Sequence, residues 1–266
     1  MTPSPSPAAA GPAPSRVVVK LGGAVVLDPR QVRTVARDID ALLDESHRVV
    51  LVHGGGPQLD KALAAAGEPA AKIDGLRVTS RKAAGIVQKV LDGIGADLAD
   101  LLEDEGIQAE HVPAAERRLA ATVKKVPAGD LGRVGTVASF RAADLPDGVP
   151  VITPVGFDGA GPLNVNADEG ACAVAAALRA DWLVLGTDVS AVRDRQGSSI
   201  EELTPGRARD LIASGAATGG MVPKLASAAA ALEAGVGRVL ITKLQPGTLA
   251  DAVLDGRCAG TLLQGE

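Results

Sequence analysis

The sequence predicts an α/β protein, built as a three-layer αβα sandwich around a mostly parallel central sheet. Five runs are continuously apolar, the pattern of strands buried on both faces; they cover residues 16–21, 48–53, 149–153, 181–186 and 238–242. Apolar residues recur at helical spacing over residues 30–43, 58–66, 80–105, 168–178, 204–214 and 221–234. This alternation of strands and helices predicts ligand binding at the carboxyl ends of the strands.

Between residues 107 and 145 the pattern changes to shorter runs. Residues 119–126 and 133–140 are joined by a segment rich in proline and glycine, which predicts a β-hairpin. We take this hairpin as the edge of an N-terminal lobe, residues 16–149, which is followed by a C-terminal lobe, residues 150–266. Residues 1–15 are rich in Pro, Ala and Ser, a composition that predicts a disordered tail.

Composition excludes several classes of protein. The 266 residues carry a formal net charge of -5 and include only one Trp, two Phe and no Tyr. A nucleic-acid partner is therefore not expected, because such proteins use basic surfaces and aromatic stacking. No apolar stretch is long enough to span a membrane and no signal peptide is recognisable, so we expect a cytoplasmic protein with no membrane partner. The two cysteines have no metal-site spacing.

Two of the predicted strands end in glycine loops, in the sequences Lys20-Leu21-Gly22-Gly23 and His53-Gly54-Gly55-Gly56. Glycine lets backbone N–H groups approach an anion closely, so a phosphorylated ligand is expected. The sequence has neither a Walker motif nor G-x-G-x-x-G after a strand. A second lysine, Lys224, falls in the first turn of a predicted helix, where its charge is unfavourable unless an anion lies nearby. An ordinary surface lysine is the alternative.

Further polar residues lie near other predicted strand and helix ends. Asn164, Asn166 and Asp168 alternate along the chain and so share one side, although Asn166 and Asp168 are also typical helix-capping residues. Arg77, in the segment 75–79, offers a fork of donors that suits a carboxylate, unless the segment is a plain loop.

The three histidines do not predict a catalytic centre. His53 ends a strand, where a packed histidine is more common than a general base. His47 and His111 lie in contexts typical of the surface. No Ser-His-Asp or Cys-His arrangement follows from this inventory.

Six motifs in order resemble the amino acid kinase family: Lys20-Leu21-Gly22-Gly23, His53-Gly54-Gly55-Gly56-Pro57, Gly75-Leu76-Arg77-Val78-Thr79, Asn164-Val165-Asn166-Ala167-Asp168, Thr187-Asp188-Val189 and Gly219-Gly220-Met221-Val222-Pro223-Lys224. Within the family they are most similar to members that phosphorylate N-acetyl-L-glutamate. The resemblance implies the amino acid kinase fold and transfer of the γ-phosphoryl group of ATP, with Mg²⁺, to the side-chain carboxylate of that substrate in arginine biosynthesis. Such a carboxylate is ionised at neutral pH, so no general base is required.

The resemblance also implies roles for individual residues. Lys20 and Lys224 would flank the transferred group, and Asp168 would orient both lysines. Substrate would be bound by Gly55, Gly56, Arg77 and Asn164. Nucleotide would be bound by Gly22, Gly23, Asp188, Val189, Ser190, Ala191, Val192, Ala216, Ala217 and Thr218. The N-terminal lobe would bind acetylglutamate and form the dimer, the C-terminal lobe would bind nucleotide, and Mg²⁺ would accompany ATP with no protein metal ligand.

The sequence departs from the family pattern at three places. Ala191 stands where a glycine is usual, the segment 94–97 of the long helix lacks the usual asparagine, and the stretch 112–119 lacks the usual glycine and aspartate pattern.

Two alternatives remain open from the sequence. One is a sister kinase for aminoadipate or glutamate linked to a carrier protein, with Arg117, Arg118, Lys124 and Lys125 as its basic docking surface. The other is a non-catalytic regulatory homologue. The Pro-rich start cannot form the N-terminal helix of arginine-inhibited relatives, so we expect a homodimer that is insensitive to arginine.

Overall fold

A computed structural model describes residues 13–69, 71–73 and 75–265. The strands are β1 (Arg16–Leu21), β2 (Arg48–His53), β3 (Lys72–Ile73), β4 (Leu76–Arg77), β5 (Ala109–Val112), β6 (Leu119–Val123), β7 (Val134–Phe140), β8 (Val149–Ile152), β9 (Val155–Asp158), β10 (Gly161–Val165), β11 (Trp182–Gly186), β12 (Glu202–Leu203), β13 (Arg238–Thr242) and β14 (Thr261–Gln264). The helices are α1 (Gly23–Val26), α2 (Pro29–Asp44), α3 (Gly56–Ala65), α4 (Arg81–Asp104), α5 (Ala167–Leu178), α6 (Pro205–Ala213), α7 (Met221–Glu233) and α8 (Thr248–Asp255).

The centre of the molecule is an eight-stranded sheet in the order β12-β14-β13-β11-β1-β2-β8-β5. Its neighbouring strands are parallel except for the antiparallel pair β13 and β14. All five strands predicted from sequence lie side by side in it, so the predicted α/β class and mostly parallel sheet are confirmed. Because β1, β2, β11 and β13 run in the same direction, their carboxyl ends meet at one edge.

Helices cover both faces of this sheet. Along β1, Val17 and Val19 face one apolar cluster with α2, α4 and α8, whereas Val18 faces the other cluster with α5, α6 and α7. Alternate residues of a strand point to opposite faces, which is why a continuously apolar run requires helices on both sides. The core is built largely from Val, Leu, Ile and Ala.

The predicted hairpin is present, because β6 and β7 pair antiparallel. Two strands that we did not predict, β9 and β10, close with it into a small barrel in the order β10-β7-β6-β9. The barrel is tightly packed: a Cβ at Gly156 would lie 2.5 Å from Ala121 Cβ. Gly156 therefore allows two strand backbones to approach, which is a tertiary requirement rather than a local pattern.

The proposed lobe boundary after residue 149 falls inside β8, which pairs with both β2 and β5. In addition, β9 and β10 from the proposed C-terminal lobe pair with β6 and β7 from the N-terminal lobe. The two lobes thus share one sheet and one barrel, and their division stays a prediction. Residues 1–12 of the predicted tail lie outside the described residues. None of the helices in the described ranges has the length and apolarity needed to cross a membrane.

Candidate active site

The glycine loops after β1 and β2 lie against each other. The two strands pair in register, with Leu21 opposite His53, so their loops leave the sheet at the same edge. Gly54 N–H donates to the Leu21 carbonyl at 2.8 Å. A Cβ at Gly23 would lie 2.7 Å from the backbone nitrogen of Gly56, so glycine is required for this close approach.

Lys20, Asp168 and Lys224 form a buried ion triad. Lys20 is on β1, Asp168 is in the first turn of α5 and Lys224 is in the first turn of α7. Lys20 Nζ lies 3.0 Å from Asp168 Oδ1, and Lys224 Nζ donates to Asp168 Oδ2 at 2.9 Å. Asn166 caps α5 by accepting from the backbone N–H of Asp168, as the capping interpretation predicted.

Burial makes the electrostatics of this triad unusual, since its three members expose only 6–8 % of their surface. Burial acts to raise the pKa of Asp168, but the ammonium groups of Lys20 and Lys224 outweigh it and lower that pKa. Burial lowers the pKa of Lys224, and Asp168 opposes that change. With two lysines and one carboxylate, the charged triad carries a net +1, which a bound anion would neutralise.

One side of the triad opens into a cavity of about 280 Å³. We call it the acid cavity because the sequence interpretation predicts that Gly55, Gly56, Arg77 and Asn164, which line it, bind the acid substrate. Its polar lining includes Lys20, Arg77, Asn164 and the 54–56 loop. Arg77 pairs through Nη2 with Asp60, while its buried Nη1 has no hydrogen-bond partner among the described residues. Asn164 Nδ2 donates to Thr79 Oγ1 at 3.1 Å, which leaves the amide oxygen available to a ligand.

A second cavity of about 440 Å³ lies beside the first. We call it the nucleotide cavity because the sequence interpretation predicts that Gly22, Gly23 and Asp188, which line it, bind the nucleotide. Its lining includes Lys20, Gly22, Gly23, Asp188 and Lys243. Lys20 therefore lines both cavities. In the described ranges, no group of three His, Cys, Asp or Glu side chains is placed to hold a metal ion.

None of the other seven predicted nucleotide residues lines this cavity. Val189 is exposed, Val192 is packed in the core, and its N–H donates to Thr261 Oγ1 at 2.8 Å. Ala217 is also buried, and Ala216 lines a separate depression beside α6. Ser190 and Thr218 are exposed residues of the connecting loops. The nucleotide assignments of these loops therefore stay predictions.

Ala191 does not have the backbone conformation that would demand glycine. Among the described non-glycine residues, positive φ occurs only at Ser46, Arg117, Asp144 and Arg179. An alanine is thus accommodated at residue 191 without backbone strain.

The structure corrects the sequence interpretation of two histidines. His47 is buried, not at the surface, and its Nδ1 accepts from the Ser15 N–H at 2.8 Å. His111 is half-buried and lies 2.9 Å from Thr153 Oγ1 through its Nε2. His53 is a packed residue, as expected: it is completely buried, and burial lowers its pKa to about 4. A neutral imidazole with such a pKa is not a general base for chemistry at pH 7.

The basic docking surface suggested for a carrier protein is largely engaged within the fold. Arg118 is buried and donates to Glu116 and to the carbonyl groups of residues 141, 143 and 144. Lys124 pairs with Glu169 at 2.6 Å, and Arg117 stacks on Phe157 with 5.1 Å between its Cζ and the ring centroid. Of the four residues, only Lys125 has no such partner among the described residues.

Sequence reasoning missed several residues of the two cavities. Lys243 and Leu244 follow directly after β13, and Thr187 follows β11. Both strands were predicted, so the rule that ligands bind at strand carboxyl ends could have found them. Thr79 was quoted only as part of a motif, and its contact with Asn164 crosses from one proposed lobe to the other.

Two adjacent cavities that share a buried lysine have the arrangement expected of an enzyme that transfers a charged group between two ligands. The amino acid kinase family model matches residues 15–243. The chain belongs to the amino acid kinase family, and it is a kinase.

Curated relatives resemble the chain over most of its length. It is 36% identical over 233 residues to an acetylglutamate kinase of Cereibacter sphaeroides, covering 85% of this chain and 79% of that protein. It is 37% identical over 270 residues to an acetylglutamate kinase of Anaeromyxobacter, covering 94% and 99%. Among solved structures, an N-acetylglutamate synthase from Neisseria gonorrhoeae complexed with coenzyme A and N-acetyl-glutamate matches with a TM-score of 0.82 at 25% identity. That match covers 95% of this chain and 60% of the synthase.

Proposed function

We propose that this chain transfers the γ-phosphoryl group of ATP to the side-chain carboxylate of N-acetyl-L-glutamate, giving N-acetyl-L-glutamyl 5-phosphate in arginine biosynthesis. The observation that carries the proposal is the position of Lys20, which lines both cavities and belongs to the buried triad. A phosphoryl group that moves from one cavity to the other passes this ammonium group. The names of the curated relatives support the same reaction.

The acid cavity fits a small acylated amino acid with two carboxylates. Arg77 Nη1 is a buried donor with no partner among the described residues, and it would bind the α-carboxylate. The free amide oxygen of Asn164 would accept from the N–H of the acetylated amine. Backbone N–H groups of Gly55 and Gly56 would donate to the second carboxylate or to the transferred group.

The reaction needs positioning and charge stabilisation rather than proton transfer. An oxygen of the ionised carboxylate attacks the γ-phosphorus, the bond to the bridging oxygen of the β-phosphate breaks, and ADP leaves. Lys20 and Lys224 would stabilise the charge that spreads over the transferred group, and Asp168 would hold both ammonium groups in place. This account uses no histidine, which agrees with the buried and neutral state of His53.

The nucleotide enters as MgATP, in which Mg²⁺ offsets phosphate charge, so the metal belongs to the substrate. Gly22 and Gly23 would offer backbone N–H groups to the phosphates. Asp188, Val189, Ser190, Ala191 and Val192, together with Ala216, Ala217 and Thr218, are the proposed contacts for the rest of the nucleotide. The homodimer, the separate roles of the two lobes and the cytoplasmic location belong to this proposal as well.

A coupled assay of ADP release with ATP, Mg²⁺ and N-acetyl-L-glutamate tests the reaction. The unchanged protein should turn over the free acetylated amino acid, and Lys224→Met should lower kcat by about 10²-fold or more, because one donor to the transition state is removed. Lys89→Met, an exposed lysine on α4, is the matched control and should keep full turnover.

The same assay decides between the proposal and its alternatives. Turnover only with a carrier-linked aminoadipate or glutamate would replace the proposed substrate. Absence of turnover with either substrate would indicate a regulatory homologue. Full activity of Lys224→Met would remove that residue from the proposed mechanism.

A further inference from the structure

Lys243 is a lysine in the nucleotide cavity that the proposed mechanism does not use. It follows β13 directly, at the same edge of the sheet as Lys20 and Asp188, and it lines the cavity with them. Within the described ranges, no ion pair engages its ammonium group. The side chain is exposed.

The backbone on both sides of Lys243 is held by contacts with β11, although the Lys243 side chain itself makes no ion pair within the described ranges. Immediately before it, the Thr242 carbonyl accepts from the Thr187 N–H at 2.9 Å, which ties the end of β13 to the end of β11. Immediately after it, Leu244 packs on Gly186, where a Cβ would lie 2.7 Å from Leu244 Cδ1. Because residue 186 is a glycine and has no side chain, the segment around Lys243 can approach β11 closely.

The turn that follows Lys243 is anchored by α2, which packs on the same face of the sheet as α8. Asp38, a buried residue of α2, accepts from the N–H groups of Gly247 and Leu249, each at 2.8 Å. These contacts secure the beginning of α8. Gln245 N–H also donates to Thr248 Oγ1 at 3.0 Å. Lys243 is thus a free cation on a preorganised turn, an arrangement that suits ligand binding.

The charges around the nucleotide cavity indicate which ligand group Lys243 meets. Lys20 is already engaged with Asp168, so its charge is partly neutralised by the triad. A nucleotide that enters this cavity would bring several negative charges, and in the proposed reaction the transferred phosphoryl group is the one that faces the triad. Even with Mg²⁺ bound, the phosphates that stay behind would keep part of their negative charge, and Lys243 is the lysine of this cavity that lies outside the triad.

We propose that Lys243 binds the diphosphate part of the nucleotide, that is, the two phosphates that leave as part of ADP. This inference rests on the proposed function only in taking the second cavity as the nucleotide site. Its contribution would be to nucleotide binding, not to the chemical step, because Lys243 lies outside the buried triad. The residue would therefore affect KM for ATP and the affinity for ADP, with little effect on KM for the acid substrate.

Calorimetric titration with MgADP tests this inference without requiring turnover. Loss of one charge-assisted contact predicts that Lys243→Met binds MgADP about tenfold more weakly than the unchanged protein. Lys243→Arg, which keeps the charge, should retain most of the affinity. Lys89→Met, which removes an exposed lysine that does not line the cavity, should bind MgADP normally. Adenosine, which has no phosphate, should bind equally to the unchanged protein and to Lys243→Met.

Kinetics provide a second measurement. In Lys243→Met, KM for ATP should rise about tenfold while KM for N-acetyl-L-glutamate and kcat stay unchanged. Unchanged MgADP affinity in this variant, or an equal loss of adenosine binding, would overturn the role of Lys243. If the protein binds MgADP but does not phosphorylate N-acetyl-L-glutamate, the proposed substrate fails while the calorimetric result for Lys243 stands.

Discussion

Replacing Asp168 by Asn should destabilise the protein strongly before any ligand is bound. The change leaves Lys20 and Lys224 buried together without their shared carboxylate, so the net charge of the triad rises from +1 to +2. At an effective dielectric constant of about 20, each lost attraction is worth about 4 kcal/mol, or about 8 kcal/mol for both. The desolvation cost of the carboxylate, several kcal/mol, also disappears. The expected net loss is about 3–5 kcal/mol.

The lysine variants provide the comparison. Lys224→Met leaves a neutral pair, Lys20 with Asp168, so its stability should stay within about 2 kcal/mol of the unchanged protein. Asp188→Asn makes the same chemical change at an exposed carboxylate and should shift stability by less than about 0.5 kcal/mol. Urea unfolding, followed by the fluorescence of Trp182, the single buried tryptophan, gives these free energies.

The order of stabilities is the critical result. If Asp168→Asn is as stable as Lys224→Met, the carboxylate does not hold two buried charges together and the electrostatic reasoning fails. Inorganic phosphate supplies a further check, because an anion that binds between the lysines should stabilise Asp168→Asn more than it stabilises Asp188→Asn.

Two further predictions concern His53 and His111, whose rings lie close to Gly95 of α4. Gly95→Ala should lower the free energy of unfolding by about 1–3 kcal/mol, because its Cβ would lie 2.6 Å from the His111 ring and 2.9 Å from His53 Nε2. Gly93→Ala is the control, since a Cβ there meets nothing within 4 Å. Equal urea midpoints for the two variants would contradict the predicted crowding at residue 95. His53 is neutral in the folded protein down to a pKa of about 4 but binds a proton below pH 6.5 when unfolded, so stability should be complete above pH 6.5 and fall by about 3 kcal/mol towards pH 4. The same pH dependence in His53→Gln would show that other groups cause it.

The parts of the fold that sequence could predict are those with a local signal. The five buried strands and the long helices have continuous or periodic apolar patterns, and all of these elements are present. The end of β10 and the beginning of α5 also carried a local signal, because Asn166 is a helix cap. Such patterns are visible in a single segment, without knowledge of its neighbours.

The parts that sequence reasoning missed depend on contacts between distant segments. The helix α8 begins where Asp38, some two hundred residues earlier, caps its first turn. The strands β9 and β10 are short, and they exist as part of a barrel whose other half lies earlier in the chain. His47 is polar and its neighbours are mixed, so nothing local showed that it would be buried. Local propensity is a weak guide where tertiary contacts decide the outcome.

The sequence by itself determined where the glycine loops and the two lysines fall relative to strand and helix ends, since these depend on short-range order. Only the tertiary structure decided that Lys20, Asp168 and Lys224 share one buried site with a net positive charge, and that Lys20 lines two cavities. It also brought Lys243 to the nucleotide cavity by docking β13 beside β11. Burial and charge coupling are properties of the assembled molecule, because they depend on which distant groups exclude water and face one another.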